Sequence, residues 1–85
     1  MSVRVLYFAW VRERVGLDAE EIDLPEGVVT VAQFADHLAG RSEDHAAALE
    51  HRDVIRFSID EELAGPDDAV RGAREIAIFP PMTGG

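Results

Sequence analysis

The stretch Val29 to Gly40, VTVAQFADHLAG, constrains the fold more than any other part of the chain. Thr30 lies three residues before Gln33, the spacing at which a hydroxyl and an amide cap each other's orphan backbone N–H groups at a helix start. Val29 and Phe34 fall where a hydrophobic staple would tie the chain before the cap to the first turn. Val31, Phe34, Ala35 and Leu38 recur at helical spacing as one apolar stripe, and Gly40 follows as a stop. This predicts an amphipathic helix that must bury one face.

The flanking segments have the other period. VRVLYFA (Val3 to Ala9) is β-branched and aromatic, and alternation puts Val3, Val5 and Tyr7 on one face, Arg4, Leu6 and Phe8 on the other. EEIDLPEG turns Ile22 and Leu24 inward before a turn. VIRFSID (Val54 to Asp60) turns Ile55, Phe57 and Ile59 inward. REIAIFP turns Ile76 and Ile78 inward and Ala77 and Phe79 outward, and Pro80-Pro81 ends the pairing. Weaker signals are a helical turn, WVRERVG, closed by Gly16, a second helical piece capped by Ser42, and a loop around Gly65-Pro66 with a short edge strand near Leu63. Eighty-five residues suffice for one domain. The expected class is α+β: a mixed sheet with one principal helix on one face, its first and last strands parallel. Residues 1–81 form the domain and 82–85 a flexible tail.

Charge narrows the partners. The net charge is −9 and all eight basic residues are arginine. Such a surface repels phosphate backbones and anionic lipid, which argues against nucleic acid and membrane and favours a protein with a basic patch. With no lysine, the chain cannot accept an isopeptide link from a copy of itself except at its amino terminus. It has no cysteine to bridge, bind metal or attack. No apolar run approaches the ~20 residues that span a bilayer, and the expected location is the cytoplasm.

Side-chain chemistry is sparse. His37, His45 and His51 lack ligand spacing, and are read as solvated helix-face residues rather than a metal site. The carboxylates, Glu20 among them, scatter over turns and strand edges and are read as solvated. No bound cofactor is expected. The outward face is less bland: if the first and last strands are neighbours, Phe8 and Phe79 form an apolar patch, unless the second helical piece covers it.

The end of the chain then takes on meaning. Pro80 and Pro81 favour an extended backbone leaving the sheet, and four further residues reach at most ~14 Å. Gly84 and Gly85 lack Cβ, so the last peptide could pass a slot too narrow for a side chain. A carboxylate is a poor electrophile until adenylation gives it a leaving group. Sulfur attack would then leave a thiocarboxylate on a flexible arm, with proximity as this chain's contribution.

With VLYFAWVRERVG near the start and EIAIFPPMTGG at the end, the whole chain resembles the ubiquitin-like β-grasp sulfur carriers. Among them it is similar to the small subunits of molybdopterin synthase, the MoaD family. The resemblance implies that an ATP-dependent activating enzyme adenylates Gly85 and a sulfur relay converts it to thiocarboxylate. It implies further that the tail enters a pocket of the large synthase subunit, within a heterotetramer. There it gives sulfur to a cyclic pterin monophosphate to form the molybdopterin dithiolene. The active site would lie in the large subunit. ATP would serve the activating enzyme and not this chain. Positions that match the family's contacts are Phe8, Leu63 and Phe79 as an apolar docking patch, with Arg12, Pro80, Pro81, Met82, Thr83 and Gly84 adding to it. Two positions depart from the family pattern: RGARE replaces an acidic turn before the last strand, and Asp60 stands where asparagine is common. Rival readings are a thiamin-type sulfur carrier of the same fold, a modifier that joins target lysines through Gly85, and an interaction domain with an inert tail.

Overall fold

Strands and helices change over where the hydrophobic period changes. The structure, a computed structural model, describes residues 1–81. β1 (Ser2–Tyr7) leads into α1 (Ala9–Val15) and β2 (Ala19–Asp23). Next come α2 (Val31–Ala39) and α3 (Glu43–Ala48), followed by β3 (Arg56–Ile59), β4 (Glu62–Ala64) and β5 (Glu75–Phe79). The sheet order is β2-β1-β5-β3-β4. β1 and β5 pair in parallel at its centre, with Val5 opposite Ile76, and the other pairings are antiparallel. This is the mixed sheet with parallel first and last strands that the alternation implies, in the β-grasp arrangement that the resemblance implies.

The predicted stripe of α2 is the buried one. Val31, Phe34, Ala35 and Leu38 are each at most 2% exposed and meet Val3, Val5, Ile22, Ile76 and Ile78 in one cluster. Full burial of the Val31, Phe34 and Leu38 side chains contributes roughly 1.5–3 kcal/mol each. The capping box forms: Thr30 Oγ1 accepts from Gln33 N, and Gln33 Oε1 accepts from Thr30 N. The staple does not close over Val29, which stays 44% exposed. Its N–H donates to Gln33 Oε1 instead, so the amide rather than an apolar contact holds the chain before the cap. Gly40 also differs from expectation. It ends α2 at φ −79°, in the ordinary right-handed region, whereas Gly16 ends α1 at φ 87°, where only glycine avoids strain.

α2 is the principal helix, and among the described residues the two shorter helices add to its core. Val11 and Val15 of α1 and Ala48 of α3 join the same cluster as α2. α3 therefore packs on the inner face, where its His45 ring meets Tyr7 edge-on at 6.2 Å. That settles whether the second helical piece covers the outer face: it does not, and Phe8 is 46% exposed.

The β3–β4 hairpin explains one departure from the family pattern. Ile59 pairs with Glu62, so Asp60 and Glu61 form a two-residue turn with φ of 48° and 74°. Both angles are positive, as a type I′ turn requires. Asp60 tolerates this and earns its place: its Oδ1 accepts the N–H groups of Arg74 and Glu75, tying the hairpin to the start of β5. Glu61 has no such return. Glu61→Gly is expected to raise stability by about 0.5–1 kcal/mol, as relief of left-handed strain outweighs the added freedom of the unfolded chain. Urea melts at equal m-value would measure it.

Candidate functional site

The outer face is built in rows by the strand register. Partners across a ladder share a face, so Ala19, Leu6, Ala77, Ser58 and Leu63 form one row from β2 to β4. On the side toward the end of β5, Phe8 follows Tyr7, which pairs with Ile78, and its N–H donates to Ile78 O at 3.1 Å. Phe8 thus stands beside Phe79, which in turn pairs with Arg56. On the other side the row Glu21, Arg4, Glu75 is charged. The face is therefore apolar at the end from which the chain leaves the sheet and ionic at the other.

The expected contact residues up to Pro81 lie as follows. Leu63 is 72% exposed and Phe8 46%, both more than a buried hydrophobic would show. Phe79 is half-buried, as are Pro80 and Pro81. Arg12 lies one helical turn beyond Phe8, its N–H donating to Phe8 O at 3.4 Å, and its Nε lies 3.7 Å from Asp18. Met82, Thr83, Gly84 and Gly85 lie outside the described residues. Phe8 reaches its position through Ala9, whose φ of 53° is left-handed. A non-glycine residue held there is strained, and such strain collects at functional surfaces. Arg56, opposite Phe79 in the ladder, is a neighbour of the patch that the sequence reading did not include. It borders Phe79, with Nη1 donating to the carbonyls of Asp53, Val54 and Ile55.

A second polar cluster overturns two expectations. His45 is buried and Glu20 has a side chain only 15% exposed, so neither is solvated. Tyr7 donates its hydroxyl to Glu20 Oε2 at 2.7 Å, and His45 Nε2 lies 2.7 Å from the same oxygen. His45 Nδ1 lies 2.7 Å from Ser42 Oγ. Arg41 Nη2 is 3.7 Å from Glu20 Oε1. Burial alone would raise the Glu20 carboxyl. The hydrogen bonds from His45 and Tyr7, with the charges of His45 and Arg41, outweigh it and hold Glu20 below the ordinary range. Burial first, then the bond to Glu20 and its charge, push the Tyr7 hydroxyl far up, so it stays a donor. Alternation carried a signal for this cluster: Glu20 shares the inward parity of Ile22 and Leu24. His51 is exposed, as expected, whereas His37 is half-buried.

A profile of the ThiS family matches residues 5–85. The chain belongs to the ThiS family. Among its relatives is the molybdopterin synthase sulfur carrier subunit of Escherichia coli strain K12, 39% identical over 85 residues, covering 98% of this chain and 99% of that one. The same subunit of Haemophilus influenzae is 39% identical over 83 residues, with the same two coverages. In three dimensions this ThiS-family chain is similar to SAMP1 from Haloferax volcanii, with a TM-score of 0.75 at 31% identity over the whole of both chains. The ubiquitin-like β-grasp fold and the resemblance to molybdopterin synthase sulfur carriers are thereby established. Among the described residues, no helix is long and apolar enough to cross a membrane.

Proposed function

We propose that the chain is the sulfur-carrying small subunit of a molybdopterin synthase, working in the cytoplasm within a heterotetramer. An activating enzyme adenylates the Gly85 carboxylate at the expense of ATP, and a sulfur donor displaces AMP to leave a thiocarboxylate. The large subunit then takes the tail, and the sulfur passes to a cyclic pterin monophosphate. This chain contributes a handle and a docking face, not catalytic side chains. The observation that carries the reading is the apolar pair Phe8 and Phe79, with the exposed Leu63 in the neighbouring row of the same face. An exposed apolar surface of this kind marks a partner site, and here it borders the strand that leads into Pro80-Pro81 and the glycines. The near full-length similarity to sulfur carrier subunits supports the same partner.

Intact mass after incubation with an activating enzyme, ATP and a sulfur source tests this. The expected product has one oxygen replaced by sulfur, located to Gly85 by fragmentation. A second reading is favoured by one observation: a fold neighbour, 29% identical with a TM-score of 0.71, is a small archaeal modifier protein. Under that reading Gly85 would be joined to lysines of other proteins, and the chain would be recovered as heavier conjugates. An unchanged mass would defeat both.

A further inference from the structure

We propose that the chain of Tyr7, Glu20, His45 and Ser42 is an acid-sensitive latch. With Glu20 ionised it holds α3 on the inner face of the sheet, and a proton on Glu20 releases α3 ahead of the rest of the fold. The inference concerns the fold and stands whether or not the tail carries sulfur.

α3 has six residues, too few to be helical unaided. Its own apolar anchors are few: Ala48, with Leu49 at its C-cap. The polar chain adds contacts to two strands. Glu20 Oε2 accepts from Tyr7 of β1 and from His45 of α3 at once, and bonds to an ionised acceptor are about twice as strong as neutral ones. His45 Nε2 must carry a proton to serve Glu20. Nδ1 can then meet Ser42 in either charge state of the ring, because a hydroxyl both donates and accepts. Ser42 Oγ also caps α3 by accepting His45 N at 3.1 Å, so one imidazole links the helix cap to the sheet.

A neutral Glu20 carboxyl would face two donors with a weakened acceptor. Tyr7 and His45 are 2% and 7% exposed, so water can replace what they lose only if α3 moves, since buried polar groups need partners. The sign follows from the depressed Glu20 value. The stabilisation is complete above the ordinary carboxyl value of 4.5 and disappears as pH falls through the lower folded value.

Surrounding charges do not supply a substitute. On α1, Arg12 pairs with Asp18, Arg14 lies over the Trp10 ring, and Glu13 is exposed. On α2, Asp36 pairs with Arg52, and His37 has a buried Nε2 with no partner among the described residues. Glu43 and Asp44 stand in the exposed first turn of α3. Among the described residues, Arg41 is the other cation within ion-pair reach of Glu20.

Amide hydrogen exchange of the full chain, read by NMR as α3 protection relative to α2, tests the latch. On going from about pH 6 to about pH 3.5 that ratio is expected to fall roughly ten-fold or more, the size of a lost charge-assisted bond. In Glu20→Gln it is expected to be low and flat across the range. Tyr7→Phe keeps the ring and removes one donor that lowers Glu20, so its release moves to higher pH. Equal loss of protection in α2 and α3, an unaltered pH dependence in Glu20→Gln, or an imidazole protonated at Nδ1 alone near pH 7 would each overturn the proposal.

Discussion

Deleting Gly85 is expected to lower sulfur transfer by at least two orders of magnitude, roughly the cost of misplacing a reacting group by an ångström or more, and to leave the melting temperature unchanged. The deletion puts a carboxylate on Gly84, one residue short, and a residue spans up to ~3.6 Å of extended chain. A pocket shaped for a Gly-Gly end would then hold its catalytic groups beyond reach of the acyl carbon. Stability should not follow, because the core cluster of the described residues runs from Val3 to Ile78 and β5 ends at Phe79. Appending an alanine after Gly85 is the companion variant: the carboxylate moves outward and a Cβ enters the slot. Single-turnover transfer with a reconstituted activating enzyme and large subunit, beside calorimetric melts, separates the outcomes. Normal transfer by either variant would remove Gly85 from the mechanism. A collapsed thermal transition would mean that the tail belongs to the fold.

The fold was legible where a pattern was both local and strong. The Thr30–Gln33 box and the stripe of Val31, Phe34, Ala35 and Leu38 are properties of a single helix, and all appear as read. Strand parity placed Phe8 and Phe79 outward, because the side-chain period of two admits no compromise. Illegible features depended on meetings between distant residues. His45 looks like a polar helix residue until folding brings it, across 25 positions, to Glu20. Glu20 in turn looked like one more acid in an acidic segment, although its parity with Ile22 pointed inward. The Asp60–Glu61 turn was hidden for another reason. Asp60 is a residue type that tolerates positive φ but Glu61 is not, and the two-residue spacing emerges only once Ile59 is paired with Glu62. Exposure is harder still to read from residue type: Phe8 at 46% exposure and Phe34 at 0% are the same amino acid, and only the surrounding pattern, strand parity for Phe8 and helical spacing for Phe34, separates them.

Leu63→Ala should weaken partner binding while leaving stability within about 0.5 kcal/mol, as for other exposed sites. At 72% exposure it loses little burial in the free chain, so a drop in affinity reports the interface itself. Phe8→Ala should have the larger effect, on the order of 2 kcal/mol or about thirty-fold in Kd, the scale of a central aromatic anchor. Phe8 stands beside Phe79 on the inner strands β1 and β5, so truncating it removes one of the two rings of the apolar pair, whereas Leu63 lies on the edge strand β4. Phe79→Ala is the mixed case. The half-buried ring should cost some stability as well as affinity, because it pairs with Arg56 at the last position of β5. The informative quantity is the difference between the two losses, from titration calorimetry with the large subunit and from denaturant melts of the free chain. A binding loss exceeding the stability loss in all three variants is the expected pattern. If Phe79→Ala loses stability while its affinity holds, the ring belongs to the core. If Leu63→Ala also binds normally, the partner approaches from another side, and the tail alone directs the encounter.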